Sequence, residues 1–198
     1  MLFVVTGPSG CGKSTMIHHV MRDLRNVHFS VSHTTRPRRP SETEGKDYYF
    51  VSGEKFDRMV AKRQFAEWAV VHGHRYGTSK REISTKARSA DLILDIDVQG
   101  AKQIMASGIP AVFVFVLPPR FEDLARRLRG RGEDKADVIA RRLRNARTEV
   151  RQAGKFEYLI VNDQLDRAVL ELESIILANR CRRDTRRTAL REALESFK

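Results

Sequence analysis

The sequence predicts an α/β fold: a three-layer α/β/α core with a central parallel sheet, and a further lobe inserted into it. Three observations carry this reading. Short, nearly continuous apolar runs recur at Leu2–Val5, Asp91–Asp97, Ala111–Leu117 and Tyr158–Val161. Stretches with helical composition or spacing separate these runs, as a strand–helix repeat requires. Residues 33–79 break the alternation with a segment dense in Arg, Pro, Gly and acid, and this is the inserted lobe.

Taken in order, Leu2–Val5 is too short for anything but a buried strand. Beyond the turn that follows it, Met16, Ile17, Val20, Met21 and Leu24 recur at helical spacing. Val27–Ser32 reads as one second strand. The segment 34–47 lacks periodicity and reads as an ordered loop, followed by a strand at Tyr48–Val51. Glu54–Arg63 is a predicted helix, Phe65–Val71 a strand, His72–Ser79 a turn-rich stretch, and Lys80–Ser89 a polar helix. The repeat resumes with the strand Asp91–Asp97, a helix through Ala101–Met105, and Ala111–Leu117, stopped by Pro118 and Pro119. Two basic helices are predicted at Phe121–Arg131 and Ala136–Val150, then the last strand at Tyr158–Val161. From Asp163, the residues Leu165, Val169, Leu172, Ile175, Ile176 and Ala178 mark a long amphipathic helix. The tail beyond Arg180 keeps helical composition but is mostly polar, and is expected to be only partly ordered.

The turn after the first strand is GPSGCGKST, Gly7 to Thr15. Gly7, Gly12, Lys13 and Ser14 match G-x-x-x-x-G-K-[ST] in the strand–turn–helix context that the pattern needs. Glycines at 7, 10 and 12 let the backbone approach an anion, and successive N–H groups then point at phosphates beside a helix N-terminus. Lys13 is expected to reach the β- and γ-phosphates, and Ser14 to ligate Mg2+. The whole run of Gly7, Pro8, Ser9, Gly10, Cys11, Gly12, Lys13, Ser14 and Thr15 is a candidate nucleotide-phosphate site.

A second constellation is Asp95 and Asp97, which alternate on one strand at the end where open α/β sheets bind ligands. A carboxylate there is positioned to organise Mg2+. The lobe supplies a third. Arg36 and Arg39, the hydroxyls of Tyr48 and Tyr76, and small hydroxyl side chains including Ser32 and Thr78 make a receptor for a second phosphate. Glu67 differs in kind: a carboxylate can accept the N1–H and N2–H2 of guanine together while a Ser or Thr hydroxyl donates to O6.

Bulk properties bound the class. The chain has 198 residues, 41% hydrophobic and 31% charged, which suits one globular domain with appended lobes. The run Ala111–Leu117 is far too short to span a bilayer. The N-terminus enters a strand directly, so no secretory signal is expected, and two cysteines do not make a disulfide framework. These features predict a cytoplasmic protein without a membrane partner. The net charge of +12 lies largely in 120–151 and 180–198, interleaved with acids. With neither an RNA-binding aromatic signature nor zinc-ligand spacing, no specific nucleic-acid partner is predicted.

In its motifs the chain resembles the guanylate kinase family. The resemblance lies in GPSGCGKST, FSVSHTTRPRRP with EGKDYYFVS, EWA, HRYGTS, LDIDVQG, RGRG and IVNDQLD, in the family's order and covering the chain to about Asn179. It implies Mg2+-dependent phosphoryl transfer from ATP to GMP, on a sheet core with a GMP-binding lobe and a helical lid. It divides the chain into core (1–32, 80–120, 152–180), lobe (33–79), lid (121–151) and basic tail (181–198). Carried across residue by residue, it implies that Ser32, Glu67, Thr78 and Asp97 read the guanine. Arg36, Arg39, Tyr48 and Tyr76 would hold the GMP phosphate, with Asp95 beside the metal and Asn162 near the adenine. Arg131 and Arg142 would be lid arginines that close on the transferring group, so that Lys13, Arg36, Arg131 and Arg142 carry the catalysis. Thr78 stands where some relatives have Ser, and the basic tail is not a family hallmark. ATP and GMP are thus the expected small-molecule partners. Use of dGMP and the oligomeric state stay open.

The main alternative is a guanylate-kinase-like interaction module without catalysis. Such modules generally have eroded phosphate loops, whereas Gly12, Lys13 and Ser14 are intact here. A GTPase-type switch would need an N-K-x-D motif after a strand, which the sequence lacks, and Glu67 with Thr78 argues against other monophosphate acceptors.

Overall fold

Alternate residues of the first strand go to opposite faces of a sheet, and here both faces are covered. A computed structural model describes residues 1–71, 73–87, 90–130 and 136–198. The chain begins with β1 (Leu2–Thr6), α1 (Lys13–Asp23), β2 (Val27–Phe29), β3 (Ser32–Thr34) and β4 (Tyr48–Phe50). It continues through α2 (Gly53–Ala61), β5 (Phe65–Val71), β6 (His74–Ser79), α3 (Lys80–Lys86), β7 (Asp91–Asp95) and α4 (Val98–Ser107). The last third holds β8 (Val112–Leu117), α5 (Phe121–Gly130), α6 (Ala136–Val150), β9 (Tyr158–Val161), α7 (Leu165–Arg180) and α8 (Arg187–Ser196).

Five strands form the parallel core sheet in the order β2-β7-β1-β8-β9. Phe3 and Val5 face one side, where they pack with Met16, Ile17 and Val20 of α1 and Ala168, Leu172 and Ile176 of α7. Leu2 and Val4 face the other, against Ile83 of α3, Ala101 and Ile104 of α4, and Phe156. This is the predicted three-layer arrangement. Each fully buried Leu, Ile, Val or Phe contributes ~1.5–3 kcal/mol, so β1, buried at every position, anchors the fold. Its neighbours β7 and β8 lie on opposite sides, which opens a crevice at the carboxyl ends of the strands. The register Val5↔Asp95 sets Asp95 beside the start of the loop after β1.

A second sheet, ordered β4-β3-β6-β5, forms the lobe. Beside it lies α2, capped by the Ser52 hydroxyl accepting from Lys55 N–H, with Phe56 buried and stacked on Phe65 at 4.5 Å. Helices α5 and α6 share a small core of their own, Leu124, Leu128 and Ala146 with Ile139 and Leu143.

Two local expectations change. Val27–Ser32 is not one strand: β2 pairs with β7, and Ser30 N–H still bonds Ile93 C=O at 2.9 Å. Val31 N–H then donates to the buried Glu82 carboxylate at 2.9 Å, and the chain leaves to build β3 in the other sheet. The stretch around HRYGTS is a strand rather than turns. Among the described residues of this stretch, Gly73 alone has a turn conformation, with φ 86°, while Gly77 sits in β6 under Phe65 and Trp68. The tail, of helical composition, carries α8, whose Leu190 and Leu194 are exposed, as is Phe197 just beyond it.

Candidate active site

The loop after β1 turns on Gly7, whose φ of 143° is strained for any L side chain. A Cβ there would lie 2.2 Å from the Val116 carbonyl oxygen of β8, a backbone atom that cannot give way. Gly12 caps α1, so the first N–H groups of that helix open toward the crevice. Lys13 Nζ donates to Gly7 C=O at 2.8 Å and Pro8 C=O at 3.4 Å, and lies 3.9 Å from Asp95 Oδ1. Burial works against its charge, but Cys11, Asp95, Glu149 and Asp97 outweigh that and hold its pKa above the usual lysine value. Ser14 Oγ donates to Asp95 Oδ2 at 2.8 Å. A hydroxyl and a carboxylate side by side at the end of a phosphate loop are the hard oxygen donors that suit Mg2+.

The loop is also held from behind. Asn162, at the end of β9, is buried, and its Nδ2 donates to Cys11 C=O at 2.7 Å. Arg127 of α5 bonds the same carbonyl at 3.3 Å and Asn162 C=O at 2.9 Å. Asn162, the residue expected near the adenine, is thus joined to the loop backbone through its amide. Nothing in the sequence marks Arg127 among the many arginines of α5.

Across the crevice, Glu67 projects from β5, where a β-bulge between Phe65 and Glu67 re-aims the strand. Glu67 is buried, and its Oε1 accepts from Thr78 N–H at 2.8 Å. Burial pushes its pKa up to about 7, against the Thr78 hydrogen bonds that lower it and with Asp97 adding to the rise. Ser32 and Thr78 hydroxyls stand 3.1 Å apart beside it. Asp97 lies just past β7 and is the N-cap of α4, its Oδ1 accepting from Gly100 N–H at 2.9 Å. The strand reading of Asp91–Asp97 was therefore two residues too long, because the chain turns into α4 after Ile96.

Arg36 is held in a cage. Its Nε donates to Tyr76 OH at 3.2 Å, its NH2 to Glu42 Oε1 at 2.5 Å, and its guanidinium lies over the Tyr48 ring at 5.5 Å. Glu42 also accepts from Arg39 N–H at 2.8 Å, which ties the loop 36–42 into one unit. Tyr48 is pushed up to about 12, by burial first and then by Asp95 and Tyr76, so its hydroxyl stays a donor at neutral pH.

One cavity of about 300 Å³ joins these groups. Gly7, Ser9, Lys13 and Asp95 line it together with Ser32, Glu67 and Asp97, and the lobe adds Tyr48 and Tyr76. From α6, Arg142, Asn145 and Glu149 close one side, at i, i+3 and i+7 on one helix face. Arg36, Thr78 and Asn162 lie next to the cavity, bonded to Tyr76, Glu67 and the Cys11 carbonyl, and the loop 36–42 carries Arg39. Arg131 lies outside the described residues. Sequence reasoning passed over Glu42, Gln99, Asn145 and Glu149. An acid in the last turn of a strongly basic helix was the one available signal.

A parallel sheet with a phosphate loop on its central strand, and a second charged receptor facing that loop, defines a phosphate-loop nucleotide kinase architecture. Comparison with known proteins narrows the class. The guanylate kinase family model matches residues 1–179. Guanylate kinase from Syntrophotalea carbinolica is 52% identical over 183 residues, covering 92% of this chain and 87% of that protein. Guanylate kinase from Polaromonas is 46% identical over 197 residues, 99% of this chain and 96% of its own length, so that alignment includes the tail. The crystal structure of guanylate kinase from Anaplasma phagocytophilum superposes with a TM-score of 0.74 at 29% identity, covering 92% of this chain and 86% of that one. The chain belongs to the guanylate kinase family, whose members are nucleoside monophosphate kinases.

Proposed function

We propose that this chain transfers the γ-phosphoryl group of ATP to GMP, giving ADP and GDP, with the residues of the cavity in the following roles. The observation that carries the reading is that one cavity is lined both by Lys13 and Asp95 of the phosphate-loop region and by the buried Glu67 carboxylate. The loop from Gly7 to Thr15 cradles the donor phosphates through its backbone N–H groups. Lys13 exchanges its bonds to Gly7 and Pro8 carbonyls for phosphate oxygens. Mg2+ bound at Ser14 and Asp95 would offset phosphate charge, and the side-by-side oxygens there fit it. Glu67 accepts from the guanine ring, Ser32 and Thr78 serve O6, and Asp97 shares the base edge. Arg36, Arg39, Tyr48 and Tyr76 hold the acceptor phosphate.

The acceptor is a phosphate monoester with a second pKa near ~6, so it is mostly a dianion at neutral pH and needs no strong base. The physical problem is mutual repulsion between two anions. Lys13, Arg36, Arg39, Arg131 and Arg142 oppose it, and catalysis rests on alignment and electrostatics rather than covalent chemistry. The lobe 33–79 and lid 121–151 close on the core and exclude water, which would otherwise hydrolyse ATP. Among the described residues no helix is long and apolar enough to cross a membrane, and cytoplasmic activity fits that composition. The test is ADP formation from ATP and Mg2+ with GMP, dGMP, AMP, UMP or CMP as acceptor. Strong dependence on GMP is expected, and its absence would sink the proposal.

A further inference from the structure

The base-reading carboxylate sits on an edge strand, and an edge strand has one row of backbone groups without a ladder partner. In the order β4-β3-β6-β5, the free side of β5 faces helix α4 of the core. There the Trp68 N–H donates to Gln103 Oε1 at 3.1 Å, and Gln103 Nε2 donates to Trp68 C=O at 2.7 Å. One side-chain amide thus pairs with the backbone next to Glu67 as a neighbouring strand would. One turn earlier on the same helix face is Gly100. A Cβ at Gly100 would lie 2.4 Å from Glu67 Oε2, closer than any side chain tolerates. The other oxygen, Oε1, is taken by Thr78 N–H.

Glu67 is therefore located by three constraints: the bulge and Thr78 on the lobe side, contact with the bare Gly100 backbone behind, and the Gln103 clamp at the adjacent residue. We infer that the Gly100–Gln103 face of α4 is the element that positions Glu67 against the core, and so sets how well the site reads a guanine. Gly100 and Gln103 touch no reacting atom and are positioning residues. The loop and the base reader then share one frame, since α4 follows directly on the strand that carries Asp95 and is capped by Asp97. The consequence for specificity rests on the reading of Glu67 given above.

Gly100→Ala is the direct test, because alanine favours a helix and a mere packing role predicts an intact fold. The expected result is a KM for GMP raised on the order of tenfold, with guanine-over-adenine preference falling alongside it. The KM for ATP should stay within about twofold and thermal stability should hold. Gln103→Leu keeps the side-chain bulk but loses both bonds, and should raise the KM for GMP by about threefold while hydrogen exchange at Trp68 N–H accelerates. The Thr78 amide resonance reports the Glu67 carboxylate directly and should shift in Gly100→Ala. An unchanged Thr78 amide, or equal rises in KM for both substrates, would overturn the inference. Glu67→Gln run in parallel separates the two claims. If it keeps guanine preference, the base reading fails, and the Thr78 shift alone decides whether α4 positions the carboxylate.

Discussion

The phosphate loop and the proposed guanine seat are both anchored on the core, yet they are built in opposite ways. The loop is contiguous: residues 7–15 supply it, and its working parts are backbone N–H groups and one lysine. The seat draws Ser32 from β3, Glu67 from β5, Thr78 from β6 and Asp97 from the cap of α4, and its working parts are side chains. A phosphate group is recognised by charge and by closely spaced donors, which a glycine-rich turn presents by itself. A base edge is recognised by the pattern of its donors and acceptors, which needs side chains fixed from several directions. The contrast also appears in cost. Lys13 sits where surrounding acids hold it charged, whereas burial makes the Glu67 carboxylate hard to ionise before a base arrives.

That contrast can be broken from the loop side first. Lys13→Ala should lower kcat by roughly 10³-fold, because a preorganised cation facing the transferring group is lost, with the midpoint of urea unfolding nearly unchanged. Turnover near that of the unaltered protein would refute the role given to Lys13. Glu67→Gln comes next. An amide offers a donor to one of two guanine donors, so kcat/KM for GMP should fall by about 10²-fold with little effect on the KM for ATP. Loss with both substrates would show that the two halves are not separable.

The same variant has a signed stability effect. Because the folded-state pKa of Glu67 is raised to about 7 from 4.5, its ionisation disfavours the free folded protein at alkaline pH, and stability returns as pH falls through about 7. Glu67→Gln should gain on the order of 1–3 kcal/mol at pH 8 relative to its effect at pH 5, read from urea unfolding at both values. A gain independent of pH would contradict the raised pKa. Asn162→Ala removes a buried donor from the Cys11 carbonyl and should cost about 1–2 kcal/mol in unfolding free energy while raising the KM for ATP. The smallest effect is on the unaltered protein. Between pH 7.5 and 6.5, Glu67 protonation should raise the KM for GMP about threefold while the KM for ATP changes less.

Much of this was legible from residues alone, and the limits follow the same division. The loop, Asp95 and the core strands could be read because each is a local pattern with its own period or spacing. Glu67, Ser32 and Thr78 could be named as chemistry, and the resemblance assigned them roles, but their separations of 35 and 11 positions say nothing about contact. The break at Ser30–Val31 was hidden because both halves of Val27–Ser32 satisfy strand preferences; only the competing partners, Ile93 in one direction and Glu82 in the other, decide where the chain divides. Gly77 misled in the opposite sense. A glycine near Gly73 suggests turns, but at 77 it clears space for Phe65 and Trp68 within a strand.

By itself, the sequence determined a nucleotide-phosphate loop on the first strand of a parallel α/β sheet, an inserted lobe, and a set of residues able to recognise guanine. Tertiary structure alone decided that Asn162 and Arg127 brace the loop, that Glu42 cages Arg36, that Glu149 lies near Lys13, and that α4 packs against Glu67. The physical reason is range. A turn and a strand are specified by steric and periodic preferences within a few residues, while a hydrogen bond across 35 or 151 positions exists only because packing of the whole core brings its partners together.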